Sequence, residues 1–337
     1  MRIGKLEILP VSDGQFLFAA PPGFPGKEDP AYAAHHIAID ENGLWTMDIG
    51  CFVVRTEDRV ILLDAGAGPG DMTAIGPKPF TGLDDADPAL VAYNRSKGLE
   101  GRALEHAMNM VSKSQIRHGL LGRNLARLGI SPDDITDVVL SHLHFDHIGW
   151  VSHNGKPFFP NATYRCERHD ADFFLGPNGH DETFYRLIWQ AMPASQRLAP
   201  IMDRLEIWDK DCPIAPGVNA MFAPGHTPGS CLFILSSGSE RALILGDTVH
   251  CPLELTDPEF SLMGDMDQAL ADRTREAVAR ELEDGTTVAG ALLTFPAWRL
   301  AACCRGRVVQ AGCSLPNKAW RATLAEVIAI AGAALNR

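Results

Sequence analysis

Short apolar runs, each closed by a polar or glycine-rich turn, recur along the chain and set its expected elements. Residues 3–12 alternate well enough for an edge strand, which Asp13-Gly14 turns. Strands follow at 47–56 and 59–63, joined at Glu57-Asp58, and the second runs into Asp64-Ala65-Gly66-Ala67-Gly68-Pro69-Gly70. An acidic residue at a strand end followed by glycines marks a tight loop on a functional face. It is not a phosphate loop, because the Lys-Ser/Thr ending is missing. Residues 71–116 hold a polar turn at Asp84, Asp85, Asp87 and Pro88 and a candidate helix over 89–112. So long a stretch between core elements points to an inserted lid or to an oligomer contact, the latter as a homodimer. Helical spacing covers 118–128 and stops at Gly129. Further strands are expected in 158–166, at 205–208, 218–222, 231–235 and 242–245, and helices from 170 and over 265–282.

The buried strand Val138-Val139-Leu140 matters most, because Ser141-His142-Leu143-His144-Phe145-Asp146-His147-Ile148-Gly149-Trp150 follows it. This is H-x-H-x-D-H. Imidazole nitrogen and carboxylate oxygen are the ligands that Zn²⁺ and similar borderline metals accept, at roughly 2.0–2.2 Å. A loop leaving a strand can fold all four side chains inward, whereas an extended strand alternates their faces. The bland alternative is a histidine-rich surface turn. Two later strand ends weigh against it: Pro224-Gly225-His226-Thr227-Pro228-Gly229 and Gly246-Asp247-Thr248. Alone, the first could be a turn and the second a helix cap. Following H-x-H-x-D-H in this order, they read as further ligands. His35, His36, His169 and His180 have no such setting and read as surface residues.

Composition narrows the setting. A chain of 337 residues, 46% of them hydrophobic, has material for a sizeable core. The formal charge of −12 argues against nucleic acid and anionic membrane as partners. No run of about 18 apolar residues predicts a membrane span, and the start lacks a signal-peptide core. The eight cysteines form no C-x-x-C pair, as reduced thiols of a cytoplasmic protein would not.

Leu63-Asp64-Ala65-Gly66, the His142 cluster, Pro224–Gly229 and Gly246-Asp247 together resemble the metallo-β-lactamase-fold hydrolases over roughly residues 45 to 290. Gly246-Asp247-Thr248-Val249-His250 and Phe159-Pro160-Asn161-Ala162 are most similar to the branch holding methyl parathion hydrolase and its lactonase relatives. The resemblance implies a four-layer αββα sandwich with metals, zinc or else manganese or iron, at one edge between the sheets. It implies His142, His144 and His226 on the first metal, Asp146 and His147 on the second, and Asp247 bridging both. A hydroxide held by the metals then attacks a small ester or lactone, with Asp146 orienting it or moving a proton. Asp64 stands behind a ligand histidine. Phe145 and Trp150 are candidates for an apolar substrate wall, and His250 for contact with a substrate oxygen. Core packing is the competing reading for the two aromatics.

The resemblance also asks for a further histidine on the second metal, after a late strand, and this chain has none beyond His250. Val288-Ala289-Gly290-Ala291 is followed by Leu292-Leu293-Thr294-Phe295-Pro296 instead. One metal is therefore expected to bind firmly and the second weakly. Residues 292–313 hold three of the eight cysteines and no acidic residue. That break divides a hydrolase domain, 1–291, from an atypical tail, 292–337, and points to a reading-frame shift near Ala291. Leu293 to Trp298 can be encoded so that the same letters, read one base earlier, give Ala-His-Phe-Pro-Gly-Leu. A divergent tail with an apolar helix over 322–335 is the alternative. For function, a phosphotriesterase or β-lactam hydrolase is the runner-up to ester or lactone hydrolysis. A catalytically weakened metal-binding protein is the reading from another class.

Overall fold

Two sheets stack with their apolar faces together, and this follows from strands that are hydrophobic on both sides. The computed structural model describes residues 1–19, 44–177, 179–251, 253–256, 264–283, 289–291, 300–304 and 307–311. Its strands are β1 (Arg2–Ile3), β2 (Leu6–Ala19), β3 (Leu44–Arg55), β4 (Val60–Leu63), β5 (Gln115–His118), β6 (Asp137–Val139), β7 (Ser152–His153), β8 (Lys156–Pro157) and β9 (Thr163–Glu167). They continue as β10 (Leu205–Trp208), β11 (Cys212–Ala215), β12 (Val218–Phe222), β13 (Cys231–Ser237), β14 (Glu240–Ile244), β15 (Ala289–Ala291), β16 (Leu300–Cys304) and β17 (Arg307–Ala311). The first sheet runs β1-β2-β3-β4-β6-β9-β10, with β5 also on β2, and the second runs β11 to β17 in order. In β3 and β4, Phe52, Val54, Ile61 and Leu63 face the second sheet, where they meet Val218, Phe233, Leu235 and Ile244. The intervening Cys51, Val53 and Leu62 point the other way, onto Leu121, Leu125, Ile148 and Phe174 of the covering helices. Period-2 alternation in a run without polar residues thus produces a layer on each face. The long helix Gln268–Glu283 covers the second sheet's outer side through Val278 and Leu282, which completes the αββα sandwich.

Three expected elements are corrected. Asp13-Gly14 does not end the first strand: β2 runs through it with a bulge between Ser12 and Gly14, and lies inside the sheet. The reason is Asp13, whose fully buried carboxylate accepts from the amides of Ala67, Gly68, Gly119 and Leu121 and from the Trp150 indole. A buried carboxylate with that many donors is satisfied within a strand. Residues 89–112 form two helices, Pro88–Ser96 and Gly101–Val111, with Gly98 at φ +85° between them. The expected helix at 118–128 begins only at Leu121, because Gln115–His118 pairs with β2. Cys51, Cys166 and Cys231 are buried free thiols, and Cys251 is buried too. Among the described residues no helix is long and apolar enough to cross a membrane. The stretch Leu292-Leu293-Thr294, the pair His35-His36 and the expected helix over 322–335 lie outside the described residues.

Candidate metal centre

Strand β6 ends at Val139, and Asp64 at the end of the adjacent, parallel β4 catches the chain as it leaves. Asp64 sits at φ +60°, a region L-residues rarely enter, and accepts from the Ser141 amide (2.7 Å) and hydroxyl (2.8 Å). Asp170 holds the next turn by accepting from the Leu143 amide at 2.9 Å. One helical turn, Phe145–Ile148, then swings Asp146 and His147 back towards His142 and His144. Gly149 closes the turn where a Cβ would lie 1.9 Å from the Ala67 carbonyl carbon, so no side chain fits.

The loops after β12 and β14 bring the other donors. His226 Nε2 and His142 Nε2 lie 3.0 and 2.9 Å from His144 Nδ1. Nitrogens bound to one ion at tetrahedral corners are ~3.3 Å apart for bonds of about 2.0–2.1 Å, close to what is found. Asp247 Oδ2 faces His147 Nε2 at 3.4 Å, His226 Nε2 at 3.5 Å, His250 Nε2 at 3.6 Å and His142 Nε2 at 3.9 Å. Three buried groupings result: His142 with His144 and His226, His142 with His147 and Asp247, and His226 with Asp247 and His250. Asp146 joins through His147 Nε2, 3.5 Å from its Oδ2.

The distal ring nitrogens are also held. His142 Nδ1 is 3.0 Å from the Ser141 hydroxyl, His147 Nδ1 3.0 Å from Asp64, His226 Nδ1 3.1 Å from Asp265, and His144 Nε2 3.4 Å from the Tyr185 hydroxyl. Such outer partners fix the tautomer and aim the other nitrogen at an ion. Burial and the neighbouring imidazoles hold His142 and His144 well below the ordinary histidine value, so both are neutral, as metal ligands must be. Burial also opposes charge on His147, but Asp247, Asp146 and Asp64 outweigh it and raise its pKa well above normal. Burial raises Asp247 less than His147 and His250 lower it, so its carboxylate is ionised. Its Oδ1 is buried without a hydrogen-bond partner. Converging neutral imidazoles, clustered carboxylates and that oxygen fit a bound cation.

Beside the donors opens a cavity of about 360 Å³. His144, Asp146, His226, Asp247 and His250 form its polar end, and Phe16, Trp45, Phe145, Phe184, Tyr185 and Trp189 much of the rest. Tyr185 and Trp189 stack on each other with ring centroids 5.9 Å apart, and Phe145 packs tilted against both, 5.4 Å from each. Met110 and Val111 of the helix Gly101–Val111 form part of another wall. Trp150 is a correction: it is buried in the core with its indole on Asp13, and does not line the cavity. Tyr185, Trp189, Asp265, Glu254 and Arg275 were not singled out from the sequence. The run Phe184-Tyr185-Arg186-Leu187-Ile188-Trp189 was the available signal for the first two. His169 is exposed on a separate surface grouping with Glu167 and Asp209.

Fold and donor set define a metal-dependent hydrolase. The chain belongs to the metallo-beta-lactamase superfamily, whose family model matches residues 48–290. It is 25% identical over 253 residues to the N-acyl homoserine lactonase AiiA of Bacillus thuringiensis subsp. kurstaki, spanning 72% of this chain and 82% of that one. Over 115 residues it is 35% identical to the N-acyl homoserine lactonase AiiB of Agrobacterium fabrum, covering 32% and 38% of the two chains. Among solved structures it resembles AidC, a dizinc quorum-quenching lactonase in complex with its product, with TM-score 0.63 and 24% identity over 94% of this chain and 97% of that one. The hydrolase AbOPH aligns with TM-score 0.66 and 21% identity over 94% and 97%.

Proposed function

We propose that the protein is a zinc-dependent lactonase that opens a small lactone bearing an apolar acyl chain. The observation that carries this reading is the aromatic cavity opening directly onto the donor cluster. A lactone carbonyl at the polar end places its substituent against Phe16, Phe145, Phe184 and Trp189, where apolar area leaves water. The N-acyl homoserine lactonase relatives support the substrate class. His142, His144 and His226 would hold one zinc, and Asp146, His147 and Asp247 would serve a second. Bound there, zinc lowers the pKa of a water and polarises a carbonyl.

The chain's own groups do the rest. Asp146, on the cavity wall, takes a proton from the attacking water at Oδ2. The water oxygen bonds to the carbonyl carbon, the ring C–O bond breaks, and the departing alkoxide takes the proton back from Asp146. Burial pushes the Tyr185 phenol far above its ordinary value, so its hydroxyl stays a donor at the cavity wall. His250, beside Asp247, presents a ring nitrogen to a substrate oxygen.

The test is a panel of N-acyl homoserine lactones of increasing chain length beside an aryl ester, a phosphotriester and a β-lactam. Lactone kcat/KM should rise by up to about fourfold per methylene until the cavity is full. Turnover of the phosphotriester or β-lactam without the lactones would move the assignment to the runner-up class. Zinc binding without turnover of any substrate would leave a metal-binding protein.

A further inference from the structure

Behind the His226–Asp247–His250 side of the site lies a buried cation that touches none of the reacting groups. Arg275 stands on the helix Gln268–Glu283 with its side chain 3% exposed. Its Nη2 donates to Asp265 Oδ2 at 2.6 Å, and the other oxygen of that carboxylate faces His226 Nδ1 at 3.1 Å. Its Nη1 donates to the Thr248 carbonyl at 3.3 Å, one residue past Asp247, and lies 3.6 Å from Glu254 Oε1. The other Glu254 oxygen accepts from the His250 amide at 2.6 Å and lies 3.4 Å from His250 Nδ1. One guanidinium therefore reaches the carboxylate behind His226, the carboxylate behind His250 and the backbone beside Asp247.

We propose that Arg275 is a positioning residue that sets His226 and His250 together, so that metal retention and substrate handling depend on one side chain. The roles of the two histidines rest on the function proposed above. The physical argument concerns shape as much as charge. The side chains of Asp265 and Glu254 are fully buried, and a neutral residue at 275 leaves both carboxylates short of a counter-charge. Lysine restores the charge but brings a single ammonium, which cannot span two carboxylates and a carbonyl as a planar fork does. Asp272, half exposed, also accepts from Nη2 at 3.0 Å and steadies the fork from the solvent side. Backbone contacts give the same helix its purchase on the ligand loop. The Met266 and Asp267 amides donate to the carbonyls of His226 and Gly225, and the Thr274 hydroxyl donates to that of Pro224.

The experiment measures zinc affinity by competition with a chromogenic chelator, kcat and KM on a lactone at saturating zinc, and thermal melting. These are read for wild type, Arg275→Lys, Asp265→Asn and Glu254→Gln. Arg275→Lys should melt cooperatively, bind zinc about 10- to 100-fold more weakly and lose kcat on a similar scale. Asp265→Asn should share the affinity loss, and Glu254→Gln should share the fall in kcat at full zinc loading. Wild-type zinc affinity and kcat in Arg275→Lys, with only a lower melting temperature, overturn the proposal. Should Arg275→Lys fail to fold, wild-type zinc affinity in Asp265→Asn together with wild-type kcat in Glu254→Gln overturns it instead. Because zinc affinity is read without substrate, loss of this inference stays distinct from loss of the lactonase reading. The latter falls when wild type binds zinc and turns over no lactone.

Discussion

The two halves of the donor cluster are held in different ways. His142, His144, Asp146 and His147 come from six consecutive residues, on one loop and one helical turn, and Asp64 at the end of the adjacent strand clamps both ends of it. His226, Asp247 and His250 come from two loops, and their supports come from further along the chain: Asp265 from the turn before the helix Gln268–Glu283, and Arg275 from that helix itself. Gly225 shows how close that dependence is: at φ +137°, a Cβ there would lie 2.4 Å from the Ala271 backbone. The first half thus leans mainly on the neighbouring strand end, while the second leans on the helix Gln268–Glu283 and the turn before it. Ligands of equal chemical standing need not be equally robust.

The largest effect that tests this contrast is on metal content. His226→Ala leaves two histidines for the first ion and should remove most bound metal and essentially all turnover. His250→Ala should keep the metal and lose turnover, because its proposed contact is with substrate. Elemental analysis beside lactone kinetics reads both, and wild-type metal content in His226→Ala would remove that residue from the ligand set. Next comes Asp247→Asn, which keeps size and one oxygen but loses the charge that four histidine nitrogens surround. Turnover should fall by at least about 100-fold, on the scale of losing a ligand or its outer partner. Unchanged turnover with a cooperative melt would reduce Asp247 to a turn residue.

The same contrast explains what could be read from the sequence. The first half was legible because its donors are contiguous and its strand is an unbroken apolar run, so His142, His144, Asp146 and His147 stood out together. His226 and Asp247 were legible only through resemblance, since Pro-Gly-His and Gly-Asp-Thr are ordinary turns when met alone. Asp265, Glu254 and Arg275 carried no local signal: an arginine on an otherwise polar helix looks solvated until the helix is docked. Asp13 misled for the opposite reason. Asp-Gly is a strong turn signal, but here the carboxylate collects amides from two distant loops and the strand continues. Trp150 followed the motif directly, yet the turn at 145–148 leaves it in a different apolar cluster from Phe145.

The smallest effect concerns the residue that joins the two halves. Asp170 accepts from Leu143 in the first loop through Oδ2 and from Gly229 in the second through Oδ1. Burial raises its pKa to about 6, against hydrogen bonds from Thr227, Gly229 and Leu143 that lower it. The unfolded chain releases this proton near its ordinary value of 3.8. Between those values the folded protein holds a proton that the unfolded chain has lost, so stability declines as pH rises from about 4 to about 6. Above pH 6 the full cost of ionisation is present, and below 4 it is absent. Asp170→Asn cannot titrate, and it also sets an amide –NH₂ against one of the two backbone donors, so it should be less stable at every pH. Its deficit relative to wild type should be greatest near pH 4 and shrink towards pH 7, by at most about 3 kcal/mol and hence a few degrees in Tm. The comparison belongs in chelator-treated protein, where acid release of metal from the histidines does not contribute. A deficit that stays constant from pH 4 to 7 would show that Asp170 is already ionised across that range, with the amides of both loops paying for its burial.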